Sequence, residues 1–356
     1  MKMLTVIAGR FSPVLLPPGI SSSRFSSFNS VARRRTLFVS RSIRASSAAV
    51  SIETKPKEDP VPVAEKENIG EKNVLACPIC FNSLARVNQP NGIEIWHIRE
   101  STLGTSLQCV TCKKNYSGCE THLDLTVAGE TKQYGEQMPL STELFRLPLV
   151  SFLYERGWRQ SFIWGGFPGP EREFEMAKDY LKPALGGKII DASCGSGMFS
   201  RLFARSGLFS QVIALDYSEN MLRQCYEFVN QEENFPKEKI VLVRADISRL
   251  PFLSGSVDAV HAGAALHCWP SPASAVAEVS RVLRPGGVFV ATTFINEPLS
   301  FIPFSRNIRQ GVIRYSGSHF FLSERELEDV CRACGLVGFN CVRNGPFIML
   351  SATKPR

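Results

Sequence analysis

Lys188 to Ser200, KIIDASCGSGMFS, joins a β-branched apolar run ending in Asp191 to a small-residue turn and then to a helix-compatible run. Strand, small-residue loop and helix together bring backbone N–H groups close to a ligand at a helix N-terminus, and Gly195 and Gly197 allow that close approach. A second apolar run, QVIALDY, ends at Asp216, 25 residues after Asp191. An acid there can accept the two hydroxyls of a ribose. A different chemistry is spelled by Cys77-Pro-Ile-Cys80 and Cys109-Val-Thr-Cys112, with 28 residues between them. Each Cys-x-x-Cys turn can aim two thiolates at one ion, and two turns complete a tetrahedral Zn²⁺ site. Four unliganded cysteines in a small β module are the alternative; a redox pair lacks the βαβ context it needs. Cys119 and His122 are reserve ligands. His261 and His267 flank the loop after a further apolar strand, where an imidazole can act as an acid–base group or serve only as a packed structural side chain.

The elements that must position these groups follow from periodicity. Strands are expected at 188–193, 211–216, 240–245, 257–262 and 287–294, and helices at 198–206, 218–230 and 272–284. Strand and helix alternate, so the sheet is parallel and doubly wound. Arg284-Pro285-Gly286-Gly287 stops the last helix and turns into the fifth strand. Ser323-Glu-Arg-Glu326 is a capping box that starts a helix running to Cys334 before Gly335. Cys331 and Cys334 on that helix read as core. VGFNCVRN and PFIMLSATKP close the chain as a strand pair. Upstream, GFPGPEREFEMAKDYL reads as a Pro-entered amphipathic helix ending near Pro183. WHIRE and SLQCV read as strands of the cysteine module, with Asn91-Gly92 as a hairpin turn. Residues 295–318 break the rhythm, and their aromatic, apolar and Arg-bearing composition suits a substrate cap.

Asp191-Ala-Ser-Cys-Gly-Ser-Gly197 resembles the D-x-G-x-G-x-G motif of the class I S-adenosylmethionine methyltransferases, with Ser193 in place of the first glycine. ALDYSENML, VRADISRLPF, SVDAVHAGAALHCW and EVSRVLRPGGVFVATTF resemble the later segments of that family in order and spacing, over about 180–295. NAD- or FAD-binding domains share the first glycine loop and not the rest. The group resembled is methyltransferase type 11, including plant chloroplast methyltransferases. The resemblance implies a Rossmann-like α/β sheet of seven strands, preceded here by a small zinc-ribbon-like β module, and S-adenosyl-L-methionine as cofactor. It implies cofactor contacts from Asp191, Ser193, Gly195, Gly197, Asp216, Tyr217, Met221, Asp246 and Ile247. Asp191 would orient the loop or meet the cofactor's amino group; Asp246, with the Ile247 backbone, would read the adenine. Helices before the first strand would fold over the cofactor, with Tyr154, Trp158 and Arg159 in reach. His261 and His267 would stand beside the methyl acceptor as catalytic bases. A cysteine module ahead of such a domain is similar to the architecture of bacterial ribosomal-RNA guanine methyltransferases. Asn-Pro-Pro-Tyr, common among methylases of exocyclic base amines, is replaced by HAGAALHCW.

Charge and composition set the context. Residues 1–52 contain eight basic and no acidic residues; the remaining 33 basic residues balance the chain's 33 acidic ones. The net charge of +8 therefore resides in the N-terminus, and no general field for phosphate backbones remains. An acid-free, Ser- and Arg-rich start without a long apolar run reads as a chloroplast transit peptide, with cleavage near Ala45. The expected organisation is a transit peptide over 1–45, a polar linker over 46–72, the ribbon-like module over 73–130, bridging helices and cofactor lid over 131–186, and the methyltransferase domain over 187–356. No run is long enough to span a membrane. The function expected is methylation in the plastid of a small lipophilic acceptor, prenylquinone-like or phenolic, by an enzyme in the stroma or at a thylakoid or plastoglobule surface. Plastid ribosomal RNA as substrate is the alternative, and a non-catalytic cofactor-binding scaffold a further one.

Overall fold

A computed structural model describes residues 74–86, 106–127, 157, 162–163, 165–295 and 321–356, all within one compact unit, Lys66–Arg356. The expected transit peptide, linker, Asn91-Gly92 turn and WHIRE strand, together with Tyr154, Trp158, Arg159 and the cap beyond Ile295, lie outside the described residues.

Eight strands form the main sheet. β5 (Lys188–Ala192) lies at its centre. β6 (Gln211–Asp216), β7 (Ile240–Arg244) and β4 (Leu123–Asp124) continue on one side; β8 (Val257–Ala262), β9 (Leu283–Phe294), β11 (Phe347–Thr353) and β10 (Val337–Asn344) continue on the other. All pairings are parallel except those of β11 with β9 and β10. The chain order therefore reverses between β5 and β8, and in an open parallel sheet such a switch point leaves a crevice beyond the carboxyl ends of the strands. Seven of these strands are the seven expected; the eighth, β4, comes from the cysteine module.

Period-two alternation divides the strands between two cores. Ile190, Ala192, Ile213, Leu215, Val241 and Val243 face one; Ile189, Val212, Ala214, Ile240 and Leu242 face the other. Helices α1 (Pro170–Leu181), α2 (Met198–Ser206) and α3 (Glu219–Gln231) bury residues in the second core. Helices α4 (Pro272–Val282) and α5 (Glu324–Ala333) cover part of the first. The crossover from β7 to β8, residues 245–256, has no helix of its own. That place is filled by the cysteine module, whose strands β1 (Leu84–Arg86), β2 (Ser106–Cys109) and β3 (Asn115–Ser117) form a small antiparallel sheet. Val74, Leu75, Leu84, Leu107 and Tyr116 join Phe252 in the first core, and Leu75 bridges Phe252 backbone to backbone. The module is a layer of the sheet domain and shares its core.

Two expected boundaries move. Helix α4 stops at Val282, and Arg284-Pro285-Gly286-Gly287 is absorbed into β9 as an irregularity between the pairs Val257–Leu283 and Ala259–Val288, as a bulge allows. The capping box at Ser323 and Glu326 forms as expected, with Cys331 buried beneath it.

Candidate functional site

The loop after β5 turns tightly. Ser193, Gly195 and Gly197 all take positive φ, at 57°, 58° and 81°. For Ser193 this is a strained conformation, and the strain is pinned: Trp269 Nε1 donates to Ser193 Oγ at 2.9 Å. The loop after β8 repeats the device. Ala264 stands at φ 52°, and its N–H donates to Thr292 Oγ1 at 2.8 Å. Backbone strain held by neighbours on both sides of one crevice marks a place where geometry matters more than local preference. Gly197 caps α2, and a Cβ there would stand 2.1 Å from Cys225 Sγ of α3.

Beneath the loop, Asp191 is 1% exposed and engages both carboxylate oxygens. Oδ2 accepts from Ser200 Oγ at 2.5 Å, and Oδ1 pairs with His261 Nδ1 at 2.8 Å. This suits Asp191 to orienting the loop through α2 and β8. His261 lies within β8, inside the strand expected over 257–262, is 0% exposed, and packs against Phe199 and Phe203. Its geometry fits a positioning group and not a base that meets an acceptor. Ser200 and Trp269 were invisible as site residues in the sequence, because neither belongs to a spacing pattern.

Asp216 closes β6. Its Oδ2 accepts from Gly195 N and its Oδ1 from Ser218 N, each at 2.8 Å. Burial raises its pKa above the ordinary carboxylate value, against the lowering effect of the Ser218 and Gly195 N–H groups, and the Asp191 charge adds to the rise. Tyr217 is half-buried and faces the Arg244 guanidinium; Met221 is buried in the first turn of α3. Asp246 follows β7. Its Oδ1 accepts from Ser248 N at 2.8 Å and Ser248 Oγ at 2.7 Å, while Oδ2 makes no hydrogen bond among the described residues. Ile247 is buried beside it. The crevice thus presents acceptor carboxylates at the ends of β6 and β7 and a glycine-bearing turn at the end of β5. That donor set fits a ligand carrying a ribose and an amino-bearing ring.

On the other side of the switch point, His267 sits in a 3-10 turn, Leu266–Cys268. Its Nδ1 bonds Thr293 Oγ1 at 3.0 Å. The ring is stacked on Phe321, centroids 5.8 Å apart, and meets Phe294 edge-on at 5.3 Å. Phe162 and Phe167 complete an aromatic wall around Phe294.

The four module cysteines converge. Their sulfur atoms all lie within 4.8 Å of one another, with Cys77–Cys112 at 3.6 Å and Cys80–Cys109 at 3.3 Å. A tetrahedral ion held by four thiolates places sulfurs about 3.8 Å apart. The two turns match: Ile79 N points to Cys77 Sγ and Cys112 N to Cys109 Sγ, both at 3.4 Å, and the residues after each turn, Phe81 and Lys113, stand at φ 59° and 61°. The Asn82 side chain, the largest influence, helps pull Cys80 down to about 6. Although the Lys114 backbone bond lowers Cys112, burial and the neighbouring sulfurs push it up to about 12. Four thiolates gathered this closely would repel one another, and a shared cation would remove that repulsion. Cys119 and His122 do not join the cluster; burial lowers the pKa of His122.

Over residues 190–291 the chain matches the methyltransferase domain family. It is 72% identical over 356 residues to an uncharacterised chloroplastic methyltransferase of Arabidopsis thaliana, covering 99% of each chain. It is 47% identical over 364 residues to a second such Arabidopsis thaliana protein, covering all of both. A demethylmenaquinone methyltransferase of Desulfitobacterium hafniense is 25% identical over 228 residues, covering 58% of this chain and 83% of that protein.

Proposed function

The chain belongs to the class I S-adenosylmethionine-dependent methyltransferases, and from that premise we propose that it methylates a small lipophilic acceptor with a phenol or quinol ring, prenylquinone-like in class, inside the chloroplast. The observation that carries the acceptor class is the aromatic cluster at the carboxyl ends of β8 and β9, where Phe294 and Phe321 pack on His267 and Phe162 and Phe167 pack on Phe294. Flat apolar rings suit an aromatic acceptor and offer nothing to a phosphate backbone. The quinone-methylating relative supports the same class. The chloroplastic names of the relatives and the Ser- and Arg-rich N-terminus support the compartment; a lipophilic acceptor favours the plastoglobule or thylakoid surface over the open stroma. No helix among the described residues is long and apolar enough to cross a membrane.

When bound, S-adenosylmethionine supplies a transferable methyl on a sulfonium. The chain's residues hold and orient. Gly195 and Gly197 let the loop backbone approach the methionine part, with Ser193 fixed by Trp269. Asp216 accepts the ribose hydroxyls, with Tyr217 and Met221 beside it, and Asp246 with the Ile247 backbone takes the adenine. Asp191 and His261 keep the loop in register from below. In-line transfer depends chiefly on such positioning. His267 accepts the acceptor's hydroxyl proton, its tautomer set by the Thr293 hydroxyl at Nδ1. Cys77, Cys80, Cys109 and Cys112 hold a structural zinc ion.

Methyl transfer from labelled S-adenosylmethionine to a demethylated prenylquinol tests the reading, run beside plastid ribosomal RNA. Transfer to the quinol, with kcat cut about 10²-fold or more in His267→Gln and product affinity unchanged, is expected. Transfer to RNA alone refutes the acceptor class, and cofactor binding without transfer to any plastid lipid or RNA favours a scaffold.

A further inference from the structure

The module's cysteine turn and the adenine-side loop meet at one residue. Arg249 follows Asp246, Ile247 and Ser248, and its own N–H donates to Asp246 O at 3.0 Å. Its side chain leaves this loop for the module. Nε donates to Pro78 O at 2.8 Å and a terminal nitrogen to Ile79 O at 2.9 Å. Pro78 and Ile79 are the two residues between Cys77 and Cys80. A guanidinium fork binds two carbonyls only where both are held at a fixed spacing, and closure of the cysteine turn fixes that spacing. Phe81, next in the turn, receives the guanidiniums of Arg249 at 5.3 Å and Arg281 at 4.2 Å from its ring centre. Backbone bonds continue the seam, Ala76 N to Pro251 O and Leu253 N to Val74 O, both 2.8 Å.

We propose that zinc in the Cys77, Cys80, Cys109 and Cys112 site controls cofactor affinity through Arg249. The ion closes the turn, the turn's carbonyls hold Arg249, and Arg249 holds the loop that carries Asp246 and Ile247. The proposal rests on the reading that these two residues take the adenine and the four cysteines a zinc ion. Coupling of this kind is reciprocal, so bound cofactor or product also retains the metal.

The test uses the 356-residue chain, zinc-loaded and chelator-stripped, with circular dichroism and melting to verify that the sheet persists. S-adenosylhomocysteine affinity is measured by calorimetry, and zinc release to a colorimetric chelator is timed with and without S-adenosylhomocysteine. Stripping is expected to weaken S-adenosylhomocysteine binding about tenfold, within the usual range of site-to-site coupling, and S-adenosylhomocysteine is expected to slow zinc release. Arg249→Met, and Arg249→Lys, which keeps the charge but not the fork, should bind with the stripped protein's affinity even when zinc-loaded, and should release zinc at a rate indifferent to S-adenosylhomocysteine. Should stripping unfold the protein, the release rates of the zinc-loaded variants decide the matter alone. Equal affinity with and without zinc in folded protein, or zinc-dependent affinity preserved in Arg249→Met, overturns the linkage while leaving the methyltransferase reading intact. Failure to take up one zinc per chain overturns the metal assignment. Failure of zinc-loaded, folded protein to bind S-adenosylhomocysteine at all refutes the cofactor reading beneath both.

Discussion

Replacing Gly197 with alanine isolates the packing that shapes the loop after β5. Gly197 stands at φ 81°, where an L-residue with a Cβ is disfavoured by about 1–2 kcal/mol. The new methyl would also stand 2.1 Å from Cys225 Sγ and 3.1 Å from its Cβ. Cys225 is fully buried in α3, so it cannot swing clear, and overpacking of this kind costs about 1–3 kcal/mol. Together the two effects predict a loss of about 2–5 kcal/mol, a large part of a domain's typical margin of about 5–15 kcal/mol. The assay is denaturant unfolding of the wild type, Gly197→Ala, Cys225→Ala and the double variant. Removing Sγ makes room for the methyl, so the double variant should be more stable than the sum of the single losses by about 1–3 kcal/mol. The conformational part, about 1–2 kcal/mol, should remain. Additive losses in the cycle would refute the steric argument, and a neutral Gly197→Ala would refute both.

Three other outcomes follow from named contacts. His261→Leu leaves the buried Asp191 carboxylate with Ser200 alone and should cost about 1–3 kcal/mol, the penalty for a buried acceptor that loses a partner; an unshifted unfolding midpoint would contradict it. Trp269→Phe removes the donor that pins Ser193 and should cost about 1 kcal/mol, with weaker S-adenosylhomocysteine binding measured by calorimetry; unchanged affinity would show that the Ser193 strain does not serve the loop. The raised pKa of Asp216 makes its proton part of binding. Folding favours the protonated carboxyl, so its contribution to stability is present at low pH and is lost as pH rises through the folded value. Accepting ribose hydroxyls favours the ionised form, so binding should release a proton in mildly acid buffer and weaken as pH falls through that raised value. Affinity that stays flat down to the ordinary carboxylate range would exclude the role.

What could be read from the sequence was what repeats or is locally enforced. Short continuous apolar runs placed the central strands, because a strand buried on both sides must meet a core on each. The capping box, the proline entry to α1 and the two Cys-x-x-Cys turns are contained within a few residues. Asp216 was legible because strand ends are, whereas Asp246 was reached through the family resemblance. Three things were settled only by tertiary contact. Ser200 and Trp269 act on partners 9 and 76 residues away, and Arg249 on partners 170 and 171 residues away, which no local spacing encodes. His261 and His267 flank one loop and read alike as candidate bases, yet one is bonded to the sheet's central acid and the other lies among aromatic rings. The cysteine module read as a separate unit ahead of the enzyme domain, with its own turns and ligands. In the fold it contributes β4 to the main sheet and stands where the crossover from β7 to β8 lacks a helix. Sequence determines which faces are apolar; which faces cover one another depends on how the whole chain closes, because burial is shared between segments and is local to none of them.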